Sequence, residues 1–536
     1  MIRIDVLPDD VLLEVFGLYL MITNQSYGAE TWQSLVHVCR RWRSLAFRSP
    51  RRLNLRLYCT PRTPAKERLD VWPAFPLIIA GNLALPSGTD NVIAALGQSN
   101  RVCEVLLRLA GRQLEKVLAP MQVSFPELTA LHLRSHDETP LVIPDSFLCG
   151  SAPRLQYLAL YFISFPGLPK LLLSATQLVH LRLSNILHSG YISPEAMVAC
   201  LSSLSSLETL SLGFHSPQSL PDWESRSLTR AKQYTLPSLT KFHFKGVSEY
   251  LEELVTRIGT PQLNDMVITF FNQIDFDCPR LAQFIDCTPT LRERNEAHVQ
   301  FYDSTTGVTL RSLTSKSSLH DFLINISCRK PDWQLSSVEQ ICKSSLPPLL
   351  MVEDLYIEHR YRQLVWKNDA IENDLWLELL LPFSAVKDLY LSKEFAPGIA
   401  AALQELVGTR IAEVLPGLHN IHVEGLELSV SFQEIIGQFV AARRLLGRPI
   451  IISGWDRLSF TSAGRNFSNL PPPEIARLIP CKYFPACRYG ASCIFAHPQG
   501  SYCPGPMPPP AQYSSPYEQP PYPFNFYPVF APPPQF

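Results

Sequence analysis

The chain has 536 residues, a formal net charge of −1 and a hydrophobic fraction of 46%. This balance argues against nucleic-acid or anionic-membrane binding over the whole surface, so any such contact must be local. No run reaches the roughly 20 apolar residues of a membrane span, and residues 1–5 do not resemble a signal peptide. Nine of the thirteen cysteines are scattered in apolar surroundings, which favours a reducing compartment. We therefore expect the cytoplasm or the nucleus.

Residues 1–58 predict two helical stretches. Leu7-Pro8 precedes two aspartates, and acidic residues favour a helix N-terminus. A unit this small buries little surface by itself, so it must pack on a partner or on the adjoining chain. Apolar residues recur at helical spacing in both stretches: Val11, Leu12, Val15, Phe16 and Leu20, then Trp32, Leu35, Val36, Cys39, Trp42 and Leu45.

The two stretches resemble an F-box. Residues 7–16 read L-P-D-D-V-L-L-E-V-F and residues 38–42 read V-C-R-R-W, against the family pattern L-P-x-E-x-L-x-x-I-F and V-C-x-x-W. Asp10 and Val15 are mild departures, and the long intervening loop leaves the middle helix open. The resemblance implies docking on a Skp-type adaptor that leads to a cullin scaffold and a ubiquitin-conjugating enzyme. The implied apolar contacts are Leu7, Pro8, Leu12, Val15 and Phe16.

Two alternatives concern the same region. The helices could instead cap the end of a solenoid, because solenoids need capped ends. Seven arginines between residues 40 and 56 could bind nucleic acid, although such runs more often form a solvated helix face, which we prefer. Residues 59–100 then predict an apolar bridge into the next domain.

Residues 101–455 carry an apolar signature of the form L-x-x-L-x-L. The central residues of the first seven copies lie 23 to 32 residues apart, and from residue 322 the steps are 33, 34 and 32. Such periods indicate a solenoid of strand-plus-helix units. Helices are expected near 194–204, 248–258, 399–414 and 432–446, with late strands at 420–424 and 450–453. The central residues are Val105, Leu131, Leu158, Leu181, Leu210, Phe242, Met266, Phe322, Leu355, Leu389 and Ile421.

This α/β pattern resembles the irregular leucine-rich repeats of many F-box proteins. The asparagine or cysteine of the family is missing eight residues after the first leucine, where His136 and Ile163 are examples of the replacement. We therefore expect an uneven solenoid with poorly defined units from 270 to 350. An ordinary α/β domain with leucine-rich strands is the alternative.

A linker (456–478) precedes a compact set of metal-binding residue types at 479–500. The spacing C-x5-C-x5-C-x3-H gives three thiols and one imidazole, the donor set of a closed tetrahedral zinc site. So short a segment has almost no core, and zinc binding would also supply its folding energy. The predicted Zn²⁺ ligands are Cys481, Cys487, Cys493 and His497, with Cys503 a spare thiol.

The finger resembles the Cys-Cys-Cys-His fingers of nuclear polyadenosine RNA-binding proteins, although its first gap is shorter than the common one and only one finger is present. Aromatic planes beside cations suit single-stranded RNA, but the same rings could merely cover the metal. The candidate RNA-binding residues are Lys482, Tyr483, Phe484, Arg488, Tyr489 and Phe495. Residues 501–536 contain 13 prolines and a single charge, and we expect them to be disordered.

Taken together, these features predict the substrate-recognition subunit of a Skp–cullin–F-box ubiquitin ligase, whose repeats bind a protein substrate. No motif in the chain supplies a catalytic constellation, so the chain is not expected to be an enzyme. The alternative is a zinc-finger RNA-binding regulatory protein in which the N-terminal helices are only a cap.

Overall fold

The computed structural model describes most of the first 455 residues. Of two compact units, Met1–Arg457 holds all of the described residues, and Leu458–Phe536 holds none. The predicted linker, zinc finger and tail therefore lie outside the described part of the chain. The described residues are 7–24, 32–50, 52–71, 73–83, 88–136, 141–219, 233–271, 278–292, 294–312, 322–328, 331–343, 346–360, 373–408, 410–425 and 430–455.

Within these residues, sixteen strands form one long sheet in which only β15 runs antiparallel to its neighbours. The sheet order is β1-β2-β3-β4-β6-β8-β9-β11-β13-β16-β15-β14-β17-β18-β19-β20. The strands are β1 (Leu57–Cys59), β2 (Leu77–Leu83), β3 (Val102–Leu109), β4 (Ala130–Ser135), β6 (Tyr157–Tyr161), β8 (His180–Ile186), β9 (Thr209–Phe214), β11 (Lys241–Gly246), β13 (Asp265–Phe270), β14 (Glu296–Phe301), β15 (Thr305–Arg311), β16 (Phe322–Ser327), β17 (Asp354–His359), β18 (Asp388–Leu391), β19 (Asn420–Glu424) and β20 (Ile451–Trp455). Two small sheets pair β5 (Leu141–Val142) with β7 (Ile163–Ser164) and β10 (Tyr234–Thr235) with β12 (Ile258–Gly259).

Helices connect most of the strands, and none in the described part is long and apolar enough to cross a membrane. Ser193 caps the helix Pro194–Leu201, because its hydroxyl accepts a hydrogen bond from the Ala196 amide at 3.2 Å. The helices are α1 (Asp9–Asn24), α2 (Trp32–Val38), α3 (Arg40–Arg48), α4 (Ala65–Val71), α5 (Thr89–Leu96), α6 (Gly111–Leu118), α7 (Leu168–Ser174), α8 (Pro194–Leu201), α9 (Ser248–Arg257), α10 (Pro279–Asp286), α11 (Pro289–Arg292), α12 (Pro331–Lys343), α13 (Asn373–Leu380), α14 (Ala396–Glu405) and α15 (Val430–Leu445).

The repeat register follows the predicted signatures. The central apolar residues pair in register from strand to strand, as in Val105–Leu131 and Leu389–Ile421. Every one of the eleven central residues is at most 1% exposed. A slip by one residue would turn these side chains to the opposite face, so the apolar pattern fixes the register. A mixed α/β fold with a long, mainly parallel sheet agrees with the predicted solenoid.

Three features differ from the sequence-based expectation. The sheet begins before residue 101, because β1, at the end of the predicted F-box, pairs with β2 in the predicted bridge, and β2 pairs with β3. The irregular interval is a β14–β15 hairpin inserted in the sheet, so that β16 pairs with β13 and β14 pairs with β17. The helix predicted over 399–414 ends at Glu405.

The N-terminal helices α1, α2 and α3, here called the N-terminal module, pack on the first strands. The second predicted stretch is two helices, because Cys39 is extended and its sulfur accepts a hydrogen bond from the Trp42 amide. Phe16 and Trp42 join α1 to α3 with ring centroids 4.7 Å apart. The Trp32 indole lies 5.5 Å from the Phe75 ring, just before β2, so the module also covers the first end of the sheet.

Candidate interaction surfaces

The side chains of each strand alternate between the core and the opposite side of the sheet, here called the strand face. In β4, for example, Leu131 and Leu133 are buried, whereas His132 and Arg134 lie on the strand face. Because neighbouring strands are in register, equivalent positions form continuous rows across the sheet.

Charge on the strand face is divided between two regions. Strands β4, β6, β8, β9 and β11, here called the basic half, contain no aspartate or glutamate. Strands β14, β17, β18, β19 and β20, here called the acidic half, contain no lysine or arginine. The basic half carries Arg134, Arg182, Lys241 and Lys245; the acidic half carries Glu296, Asp354, Glu358, Asp388 and Glu424.

A ladder of stacked rings crosses the acidic half. The centroid distances along it are 4.4 Å from His298 to Tyr356, 4.2 Å from Tyr356 to Tyr390 and 4.3 Å from Tyr390 to His422. The ring planes are within 13° of parallel. Trp455 contacts both tyrosines edge-on, at 6.1 and 5.7 Å. Such contacts between strands rigidify this part of the sheet.

His298 lies between two carboxylates at the start of the ladder. Its Nε2 pairs with Glu296, and its Nδ1 lies 3.6 Å from an oxygen of Glu358. Burial lowers the pKa of His298, but the two carboxylates outweigh burial and hold that pKa above its ordinary value. Burial likewise opposes the charge of Glu358, yet its bonds with His298, Gln300 and Arg360 lower its pKa to about 2. Each group of the pair therefore favours the charged form of the other.

A row of carboxylates runs beside the ladder. Glu296, Asp354 and Asp388 are direct neighbours in register on β14, β17 and β18. Like charges opposite each other on adjacent strands are unfavourable. Burial and the neighbouring carboxylates, Asp388 first among them, raise the pKa of Asp354 to about 6. A bound cation would relieve this repulsion.

The cations of the basic half contact rings instead of carboxylates. Arg134 lies over the Tyr161 ring at 5.5 Å, and Arg182 donates a hydrogen bond to the Tyr161 hydroxyl at 3.2 Å. Lys245 lies over the Phe271 ring at 5.6 Å. Burial, followed by Arg108, Arg134 and Arg182, lowers the pKa of His132 to about 4, so its ring is neutral. Arg134, Arg182 and Lys245 therefore remain available to an anionic partner, whereas Lys241 lies opposite Asp265 of β13.

The residues of these two halves were not among the predicted sites, although the sequence contains a signal for them. The residue between the last two apolar positions of each signature lies on the strand face. In chain order this position holds Leu106, His132, Ala159, Arg182, Ser211, His243, Val267, Leu323, Tyr356, Tyr390 and His422, so that only the last three signatures give an uninterrupted run of rings. His298 lies in the inserted hairpin and follows no signature.

The predicted adaptor contacts fall on both sides of α1. Leu12 and Phe16 are buried in the N-terminal module, and Leu7 is partly buried against the same core. Pro8 and Val15 are exposed. Val15, 47% exposed, belongs to a second apolar face with Val11 and Leu18, which are 43% and 55% exposed. An apolar helix face left in water is a candidate protein contact.

Several of the clustered arginines form ion pairs within the N-terminal module. Arg41 pairs with Asp9 at 2.6 Å, and Arg52 pairs with Asp10 at 3.2 Å and with Glu14 at 2.6 Å. These contacts link α1 to α3 and to the residues after it. They agree with the preferred interpretation of this run as a solvated surface.

The predicted zinc ligands and RNA-binding residues lie outside the described residues. Within the residues that are described, no group of three histidine, cysteine or acidic side chains could hold a metal ion.

No family model matches the chain, and no curated protein matches it. Among solved structures, the leucine-rich repeat-containing protein LegL7 from Legionella pneumophila is similar over 72% of this chain and 97% of its own, at 13% identity and a TM-score of 0.25. The complex of Rad7 and Elc1 from yeast is similar over 78% of this chain and 88% of the matched chain, at 14% identity and a TM-score of 0.26. Likeness at these TM-scores is too low to carry an argument about this chain.

Proposed function

We propose that the chain is the substrate-recognition subunit of a Skp–cullin–F-box ubiquitin ligase. The N-terminal module would bind a Skp-type adaptor, and the strand face would hold a protein substrate. The role is one of binding and requires no catalytic residue in this chain.

The observation that carries the proposal is the pair of apolar faces on α1. One face, with Leu12 and Phe16, completes the core of the module, so that the helix is already fixed. The other, with Val11, Val15 and Leu18, remains exposed. A helix that folds by one apolar face and keeps a second one in water is suited to a partner that covers it. The F-box resemblance of residues 7–16 and 38–42 assigns that partner as a Skp-type adaptor.

The test replaces exposed residues, because substitution of Leu12 or Phe16 would disrupt the module itself. Val15→Glu with Leu18→Glu should abolish co-purification with a Skp-type adaptor while thermal stability is retained, since central apolar anchors contribute about 2 kcal/mol or more each. Leu173→Glu on α7 is the matched control, because Leu173 is 55% exposed and far along the sequence from α1. Undiminished adaptor binding by the double variant would contradict docking through this face, and absence of adaptor binding by the wild-type chain would favour the alternative in which the module only caps the sheet.

We further propose that residues 479–500 bind one zinc ion. The support is the donor set, three thiols and one imidazole, which is the chemistry that zinc selects. Metal analysis of the full chain should give one zinc, and Cys487→Ser should lose it, whereas Cys503→Ser should keep it. A zinc content near zero in the reduced wild-type chain would contradict this proposal. RNA binding by the finger is then tested with Tyr483→Ala at unchanged zinc content.

A further inference from the structure

The opposite charges of the two halves indicate which kind of segment the strand face can hold. We propose that it binds one protein segment with an acidic block and a basic block, the acidic block on the basic half and the basic block on the acidic half. The inference rests on the proposed function only in assigning this segment to a ligase substrate.

The division of charge is a property of the strand face and cannot be seen from the net charge of the chain. The whole chain is nearly neutral, at −1, yet the strands of each half hold no lysine, arginine, aspartate or glutamate of the other sign. Within the acidic half Glu296 and Glu358 are paired with His298 and Arg360, so the row that faces a partner is Asp354 and Asp388. A partner with a single sign of charge would be attracted by one half and repelled by the other. A partner with both signs, in separate blocks, gains from both halves.

Each half presents groups that fit its block. On the basic half, Arg134 and Arg182 are held in place by Tyr161, so their guanidinium groups are already oriented for carboxylates. On the acidic half, Asp354 and Asp388 are adjacent in register, and a lysine or arginine between them would relieve their repulsion.

The stiff ladder under the acidic half keeps that row of carboxylates fixed. Tyr356 and Tyr390 stack at 4.2 Å beside Asp354 and Asp388, in the next position along each strand. A preorganised surface loses less conformational entropy when a partner binds. This rigidity is a second reason, independent of charge, to place a binding surface here.

The spacing of the halves sets the length of the segment. Between Lys241 on β11 and Glu296 on β14 the sheet order places β13, β16 and β15, which is four strand spacings. At about 4.8 Å each, the inner edges are roughly 19 Å apart. A flexible linker of about 12 residues has an end-to-end distance of about 19 Å, so it could join two blocks bound at once.

The experiment measures binding of fluorescent synthetic peptides to the full-length chain by anisotropy, with no adaptor present. The probe has six glutamates, twelve Gly-Ser residues and six lysines. Controls are the same length with one block replaced by Gly-Ser, and a peptide of the same composition with alternating glutamate and lysine. We expect the two-block peptide to bind at least about tenfold more tightly than any control, because the second block binds intramolecularly.

Variants of each half then assign the contacts. The double variant Arg134→Gln with Lys241→Gln should remove the gain in affinity that the acidic block gives. The double variant Asp354→Asn with Asp388→Asn should remove the gain in affinity that the basic block gives. Glu115→Gln with Lys116→Gln on the exposed surface of α6 is the matched control and should change nothing. Melting curves identify any variant that fails to fold. In that case Arg182→Gln replaces the variant of the basic half, and Glu424→Gln replaces the variant of the acidic half.

Four results would overturn the proposal. The first two are that the alternating peptide binds as tightly as the two-block peptide, and that the variants of only one half weaken binding. The other two are that an RNA oligonucleotide binds the basic half more tightly than the glutamate block does, and that the chain self-associates in a charge-dependent way. Because Val15→Glu with Leu18→Glu leaves the strand face unchanged, it should bind the peptide normally. Failure of peptide binding is thus distinguishable from failure of adaptor binding.

Discussion

His132 in the basic half and His298 in the acidic half occupy equivalent positions, but their pKa values are shifted in opposite directions. Each lies between two buried residues of its strand, and each ring stacks on a tyrosine of the neighbouring strand, at 5.2 Å from Tyr161 and 4.4 Å from Tyr356. Burial and then three arginines lower the pKa of His132 to about 4, whereas burial is outweighed by two carboxylates that raise the pKa of His298. The charges beside each of these two rings therefore decide the direction in which its pKa differs from what burial alone would give.

The comparison shows two ways to keep a polar ring inside a sheet. The His298 ring is only 7% exposed on its side chain and is compensated by Glu296 and Glu358. Neither the buried Nε2 of His132 nor the buried Nδ1 of His298 has a hydrogen-bond partner in the described structure, but His132 also has no carboxylate beside it, so its ring is tolerated because it stays neutral and stacked. Replacement of each ring by an apolar side chain should therefore lower the free energy of unfolding by a different amount.

The largest effect is expected from His298→Leu. Removal of the imidazole leaves Glu296 without its hydrogen-bonded partner and leaves Glu358 with Arg360 and Gln300 only, which should lower the free energy of unfolding by roughly 3 kcal/mol. His132→Leu is the matched control and should cost less than about 1 kcal/mol, because it also removes an unsatisfied buried nitrogen. Urea denaturation at pH 7 measures both. Equal costs would show that the two halves do not differ in this way.

Sequence reasoning predicted the rows of this surface but not its chemistry. The spacing of leucines fixed which residues are buried, since Leu131, Leu355 and their equivalents had to share one face. It therefore also fixed the face on which His132 and Tyr356 lie. Their partners on neighbouring strands are separated from them by many residues in sequence, as Glu358 is from His298, and depend on the strand order.

The inserted hairpin explains why the acidic half was missed. A solenoid period predicts that consecutive units are neighbours, but β14 pairs with β17 and leaves room for β15 and β16 on its other side. The sequence pattern of β14 does not predict this strand order. On α1, by contrast, the apolar pattern included both the buried Phe16 and the exposed Val15, and only burial separates their roles.

The pH dependence of stability should sharpen the comparison of the two histidines. As pH falls from 6.5 towards 4, the unfolded chain protonates His132 and the folded chain does not, so wild-type stability falls relative to His132→Leu. We expect a change on the order of 2 kcal/mol, less than the full pKa shift, because the ring is partly exposed. As pH rises above 6.5, the stability gained from protonated His298 is lost instead, so wild type falls relative to His298→Leu.

Denaturation of the three proteins from pH 4 to pH 9 gives both slopes. Glu358, whose pKa is about 2, stays charged in the folded chain across this range, but the unfolded chain protonates it near the ordinary value of 4.5, so it adds a slope of its own below about pH 5.5. Parallel stability curves for wild type and His132→Leu below pH 6.5 would contradict a neutral His132.

The smallest effect is a gain of stability from Asp354→Asn. The pKa of Asp354 is raised to about 6, so below the unfolded value of about 3.8 its protonation favours the fold, and this contribution is lost as pH rises through 6. At pH 7.5 its charge therefore costs stability, and the neutral amide should add about 1 kcal/mol once solvent screening is allowed for. At pH 4.5 the gain should vanish. Glu115→Gln on α6, an exposed carboxylate, should show no such pH-dependent gain. Asp354 would then destabilise the free chain and yet be needed to bind the lysine block, as expected of a residue kept for binding. A variant Asp354→Asn that gained stability and kept full affinity for the lysine block would show that Asp354 is not part of the binding surface.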